Sequence, residues 1–173
     1  MALEVERKYR VAEWWSPPAG QDGVPVRQAY LSDLSAPVEI RVRAIGDDLL
    51  LTAKERRTVE GHTASIREEV EFPIGADTFA ELWTMARGDA VRKRRWRVPV
   101  PGAVAEVDVY EDHLAGLRVA EVEFASPEEA EHFTPPDWFD DELTGQVGWS
   151  NRELARRIDP TATSRADTRD TVR

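Results

Sequence analysis

Glu4, Glu6 and Lys8 alternate with Leu3, Val5 and Arg7 at the start of the chain. Residues two apart in an extended strand project from one face, about 7 Å apart. Two carboxylates and an ammonium in such a row can hold a hard cation beside an anionic oxygen. The pattern recurs along the chain. Glu39, Arg41 and Arg43 alternate with Val38, Ile40 and Val42, and Thr52 and Lys54 with Leu51 and Ala53. Arg67, Glu69 and Glu71 stand against Ile66, Val70 and Phe72. Lys93 and Arg95 share one face of VRKRRWRV, with Arg94 and Trp96 on the other. Glu106 and Asp108 oppose Ala105, Val107 and Val109, and Glu121 and Glu123 oppose Ala120, Val122 and Phe124.

Two architectures can carry such faces. In a sandwich the charged residues meet water and the apolar ones form the core. In a closed barrel the charged faces line a lumen, and helices and loop tryptophans cover the apolar outside. Solvated strand faces mix Thr, Ser, Gln and Lys. Here the polar faces carry little but Glu, Asp, Arg and Lys, with arginine ahead of lysine, as bidentate oxyanion contacts require. The set therefore favours the barrel. Neither sign can be buried alone, so the lumen suits a highly anionic ligand accompanied by divalent cations. The bases would hold phosphate oxygens, and the carboxylates Mg²⁺ or Mn²⁺.

About eight strands follow from the period-2 runs, including a short one at 28–32, QAYLS. Gly46-Asp47-Asp48, Gly61-His62 and Pro101-Gly102 supply turns between them. Helices are few. Phe79, Leu82, Trp83 and Ala86 recur at helical spacing behind Asp77, a candidate N-cap. Ser126, Pro127 and Glu129 read as a capping box, and Ser150 and Glu153 as another. The fold class is thus mainly β, a barrel of about eight strands with peripheral helices. One domain spans 1–159, and the polar, aperiodic residues 160–173 form a disordered tail.

Composition excludes several chemistries. There is no cysteine, hence no disulfide, thiolate metal site or cysteine nucleophile. Hydrophobic residues make up 41% of 173, enough for a core. No apolar run approaches membrane-spanning length and no signal pattern opens the chain, so a cytoplasmic protein without membrane partners is expected. A net charge of −10 argues against binding a nucleic-acid polymer. His62, His113 and His132 have no metal-ligand spacing and read as surface residues. Tyr30 reads as a packed strand aromatic, although with Lys54 it could act on a water or leaving group.

Glu4-x-Glu6-x-Lys8 resembles the ExExK signature of the CYTH superfamily, the triphosphate tunnel metalloenzymes. Arg41-x-Arg43, Lys54, Glu69-x-Glu71, Lys93-x-Arg95, Asp108 and Glu121-x-Glu123 follow in that family's order at similar spacing, and the likeness runs from residue 2 to about 158. PPDWFDDELTG, followed by Ser150-Asn151, resembles the short bacterial members. Two features depart from the family pattern. Arg94 and Glu68 interrupt apolar faces, and Trp149-Ser150-Asn151 stands where a Tyr-x-Asn-like element is usual.

The resemblance implies an eight-stranded antiparallel β-barrel forming a tunnel and metal-dependent work on a linear triphosphate, with tripolyphosphate hydrolysis to phosphate and pyrophosphate as the leading expectation. Lys8, Arg41, Arg43, Lys54, Lys93 and Arg95 would clamp the phosphates. Glu4 and Glu6 would meet Glu121 and Glu123 at a metal, with Glu69, Glu71 and Asp108 holding a second or orienting the arginines. The catalytic set is Glu4, Glu6, Lys8, Lys54 and Lys93, in a monomer or homodimer. Three alternatives stay open: a class IV-type adenylyl cyclase, a thiamine triphosphatase and a non-catalytic polyphosphate or nucleotide binder. The cyclases carry extra sequence before ExExK, whereas three residues precede Glu4 here. No base pocket is declared, although Trp14, Trp15 and Trp149 are available for one.

Overall fold

The period-2 alternation becomes a sheet that closes on itself. A computed structural model of the chain describes residues 2–57, 65–86 and 88–156. Its strands are β1 (Ala2–Val11), β2 (Val24–Tyr30), β3 (Val38–Ile45), β4 (Asp48–Arg57), β5 (Ser65–Pro73), β6 (Ala90–Val100), β7 (Ala103–Tyr110), β8 (Arg118–Phe124) and β9 (Phe139–Glu142). The helices are α1 (Ala76–Met85), α2 (Pro127–His132) and α3 (Asn151–Leu154). The first eight strands form an antiparallel barrel in the order β5-β4-β3-β2-β6-β7-β8-β1, closed by β5 against β1. β1 is the seam. Ala2 to Glu6 pair with β5 on one edge, and Val5 to Arg10 pair with β8 on the other.

Where β1 passes beyond β5, the ninth strand takes over that edge, pairing Tyr9 with Glu142 and Val11 with Phe139. Four residues reading FDDE carry no alternation, so this strand leaves no period-2 signal. β2 also differs from expectation, running from Val24 to Tyr30 rather than 28–32. Pro25 masks the first half, because proline cannot donate to a ladder. After Tyr30 the chain turns away, and the Ser32 hydroxyl accepts from the Ile40 amide at 2.9 Å. Two expected hairpin turns form. Gly46 (φ 56°) opens the two-residue link between β3 and β4, and Gly102 (φ 76°) follows Pro101 between β6 and β7.

The apolar faces point outward and are covered. Val5, Tyr9, Ala105, Val107, Ala120 and Val122 pack beneath α2 and the aromatics Trp15, Phe133, Trp138 and Phe139. Among them Arg7 donates to both oxygens of Glu142, at 2.9 and 2.7 Å, and to the carbonyl of Ala130. α1 lays Phe79, Leu82 and Trp83, with the Ala86 that follows it, on Ala29, Val42 and Ala44. Its N-cap is Gly75 and not Asp77, which sits in the first turn. At α2, Ser126 caps as expected, but Glu129 reaches back to the Ala125 amide, so the box is not closed on Ser126. At α3 the capping box of Ser150 and Glu153 is complete.

A third cluster sits inside the barrel at one end. Tyr30, Val91, Tyr110 and Val119 belong to inward-facing rows, and Leu154 of α3 and the Ala155 that follows it close over them with Leu114 and Leu143. The barrel is thus floored by a helix on one side of one end. Among the described residues no helix is long and apolar enough to cross a membrane. His62, the Gly61-His62 turn and the tail 160–173 lie outside the described residues.

Candidate active site

Seven of the eight barrel strands contribute charged residues to one cavity of about 780 Å³, and β2 contributes Gln28. Its walls include Glu4, Glu6, Arg41, Arg43, Lys54, Glu69, Glu71, Lys93, Arg95, Glu121 and Glu123. Asp108 lies behind this wall, fully buried, and Lys8 faces the smaller adjoining cavity of about 290 Å³. Each of these positions follows from alternation. Once the apolar faces are committed to the outside, the charged rows have only the lumen left.

The ammonium of Lys54 lies 2.8 Å from Glu4 Oε2 and 2.5 Å from Glu69 Oε2. Lys8 Nζ is 2.8 Å from Glu121 and donates to the Trp149 carbonyl at 3.3 Å. Burial alone would push the Lys8 ammonium down, but Glu121 and Glu6 more than offset it. Glu121 stays well below the usual carboxylate range, because Lys8, Lys93 and Arg95 outweigh its own desolvation. Asp108 is used entirely inside the protein: Arg95 bonds both its oxygens at 2.7 Å, and Lys93 Nζ lies 2.5 Å from one of them. Burial nevertheless draws the Lys93 ammonium down to about 8, with Asp108 opposing. Glu71 accepts from Arg43 at 2.7 Å and from Thr52 at 2.8 Å.

Two features of this network are unbalanced. Arg41 is buried, yet its Nε and Nη2 have no partner, and neither does Nε of Arg43. The Arg43 guanidinium is pushed below its usual value by burial and by its neighbour Arg41. Buried cationic donors without acceptors are rare and mark a place for anionic oxygens. On the opposite sign, Glu123 faces Glu4, Glu106 and Glu6 at the open end, and its carboxyl is raised by burial and by those charges. A surplus of negative charge there suits a divalent cation. No three His, Asp or Glu side chains among the described residues converge into a ready metal cage. Mg²⁺ does not need one, since it commonly takes one or two carboxylates plus phosphate oxygens and waters.

Several residues line the lumen outside the expected phosphate clamp and metal set. Arg67 pairs with Glu6 at 3.1 Å. Gln28 is buried and donates to the Tyr30 hydroxyl. Arg97, Glu106 and Asn151 complete the wall. The inward parity of Gln28, Arg67 and Arg97 is visible in the strands, whereas Asn151 lies on no strand and is singled out only by the Tyr-x-Asn-like element of the family resemblance. Tyr30 and Lys54 are held apart in function: Lys54 by its two carboxylates, Tyr30 by Gln28, its phenol raised by burial. Trp15 stacks on Trp138 outside the barrel and Trp14 is exposed, so neither lines the lumen; Trp149 lines the smaller cavity.

No family model matches the chain. It is 36% identical to an inorganic triphosphatase of Nitrosomonas europaea over 156 residues, covering 90% of this chain and 98% of that one. It is 29% identical to an inorganic triphosphatase of Acetivibrio thermocellus, covering 90% and 95%. The crystal structure of the inorganic triphosphatase NE1496 superposes with a TM-score of 0.65 at 36% identity, covering 91% of this chain and 97% of that one. A Pyrococcus furiosus protein of 23% identity shares the fold at a TM-score of 0.52. With its ExExK strand, its closed barrel and relatives matched nearly end to end, the chain belongs to the inorganic triphosphatase family of the CYTH superfamily.

Proposed function

We propose that the chain hydrolyses one phosphoanhydride bond of inorganic triphosphate, giving phosphate and pyrophosphate, with Mg²⁺ or Mn²⁺ as cofactor. The observation that carries this reading is the pair of complementary deficits in one cavity: unpartnered guanidinium nitrogens on Arg41 and Arg43, and surplus carboxylate around Glu123. A linear triphosphate with a divalent cation answers both at once. The family's named members act on the same substrate.

Phosphoryl transfer depends on positioning and charge neutralisation more than on covalent help. Arg41 and Arg43 would take the phosphate oxygens that their free donors await, with Lys8, Lys54, Lys93 and Arg95 around them. Lys8, Lys54 and Lys93 each have a carboxylate partner, which fixes the ammonium before the anion arrives. Glu4, Glu6 and Glu123 are the residues best placed to hold a metal, with Glu121 turned toward Lys8 and Arg95. When bound, the ion would neutralise phosphate charge and acidify a coordinated water. Asp108, Glu69 and Glu71 would serve as orienting partners of the bases, since each is already bonded to one. In the net reaction a water oxygen joins phosphorus, the bridging P–O bond breaks and a proton leaves to solvent.

The test is release of phosphate and pyrophosphate from tripolyphosphate, ATP and thiamine triphosphate, each with Mg²⁺, Mn²⁺ or EDTA. Metal-dependent turnover with tripolyphosphate far ahead supports the proposal. Cyclic AMP from ATP, preferential turnover of thiamine triphosphate, or saturable binding without turnover would overturn it.

A further inference from the structure

α3 does more than floor the barrel: two consecutive residues of it reach lumen cations through one intermediary each. Asn151 accepts a hydrogen bond from the Tyr110 hydroxyl, and the Tyr110 ring lies against Lys93, whose Nζ is 5.5 Å from the ring centroid. Arg152 approaches Glu39 at 3.8 Å, and Glu39 lies 3.7 Å from Arg41.

The first path is the tighter one. Lys93 is a flexible four-carbon stem in a cavity wall, 2% exposed. Its ion-pair partner does not aim it alone, because the Asp108 oxygen it uses also takes a 2.7 Å bond from Arg95. Two cations share one oxygen, so a second constraint is needed to fix the direction of the ammonium. The Tyr110 face supplies it as a cation–π contact. A ring holds a cation only while it is itself held, and the hydroxyl bond to Asn151 stops it pivoting. Asn151 is in turn fixed by the complete capping box of Ser150 and Glu153 and by Leu154, buried in the floor.

We infer that Asn151 is a positioning residue for Lys93, acting through Tyr110. The effect on turnover rests on the proposed triphosphate site, but the geometry of Lys93 does not. Loss of the Asn151 contact leaves the charge of Lys93 in the lumen, so attraction of the anion survives. What is lost is alignment, and small misplacements of an aligned group cost rate more than binding.

The experiment uses the full chain labelled with [ε-¹³C]lysine, the Lys93 signal being identified by its disappearance in Lys93→Arg. Native protein should show the Lys93 ε-methylene displaced by the Tyr110 ring current. Asn151→Ala and Tyr110→Phe should both collapse that displacement, while Asn151→Asp, which keeps the acceptor oxygen, should preserve it. In tripolyphosphate hydrolysis the first two variants should lose kcat by about tenfold. KM should stay within about twofold of native. The double variant should be no slower than either single one, because both break the same link. An unmoved Lys93 signal in Asn151→Ala, or additive losses dominated by KM, overturns the inference. A native protein that fails to hydrolyse triphosphate would sink the proposed function instead, and the NMR comparison would still decide the role of Asn151.

Discussion

Lys54 and Glu4 face each other across the closing seam of the barrel, with Nζ 2.9 and 2.8 Å from the two carboxylate oxygens. Lys54 comes from β4 and Glu4 from β1, and β5 runs between them, adding Glu69 to the same ammonium. A residue proposed for the metal and one proposed for phosphate therefore hold each other in register before either ligand arrives. Changing Glu4 to Gln keeps the shape and removes the charge. Turnover of tripolyphosphate should fall by roughly 100-fold or more. Far-ultraviolet circular dichroism should stay unchanged. Near-native rates in Glu4→Gln and Glu6→Gln would remove these residues from the metal site.

Glu123 predicts an effect of opposite sign on stability. Its carboxyl is raised by burial and by Glu4 and Glu106, so its charged form is disfavoured in the folded protein. Such a group favours folding at pH values below its unfolded pKa and loses that contribution as pH rises through the raised folded value. At neutral pH it is a source of repulsion. Glu123→Gln should leave the melting temperature of metal-free protein equal to or above native. The same variant should weaken stabilisation by Mn²⁺ and slow metal-dependent turnover. A clear drop in metal-free melting temperature contradicts the repulsive arrangement.

The buried ammonium of Lys93 sets an alkaline limit. Burial lowers it to about 8 and Asp108 only partly restores it, so its positive charge is lost as pH rises through that value. The free enzyme should therefore lose kcat/KM for tripolyphosphate above about pH 8. Lys93→Arg keeps a charge at every accessible pH and should shed that limb while lowering the plateau. An alkaline limb unchanged in Lys93→Arg assigns the transition to another group.

Arg7 tests the outside of the barrel separately from its lumen. It ties β1 to β9 through Glu142 and to α2 through the Ala130 carbonyl. Glu142 is held below its ordinary value chiefly by the Arg7 hydrogen bond, so its contribution is present above the unfolded pKa and lost as pH falls toward the lowered one. Arg7→Ala should cost about 1–2 kcal/mol in urea unfolding at pH 7. The penalty should shrink in acid.

The barrel wall was legible in the sequence because a barrel strand repeats every two residues, and the inward row of every strand but β2 carries charge. Glu4, Arg41, Lys54, Lys93 and Glu121 were all placed by that parity. Their pairings were not, since Asp108 meets both Lys93 and Arg95 only once β6 and β7 are in register. The ends of the barrel were less visible still. β9 is too short to show a period, Gly75 displaced Asp77 as a cap, and Asn151 reaches Tyr110 across 41 positions of chain. Contacts of that kind follow from closure, which no local window contains.

Closure through β1 also sets the order in which the site can come into being. β1 carries Glu4, Glu6 and Lys8, yet its partners are β5, β8 and β9, the last ending at Glu142. On a ribosome the first strand has no partner until β5 is made, and its other edge waits for β8, more than a hundred residues beyond β1; long-range pairings of this kind are slow. The β1–β8 pairing therefore cannot close the barrel until its eighth strand has been made. A partly made chain can fold hairpins such as β3–β4, but it has no lumen, and its row of carboxylates stays in water until the final strands arrive.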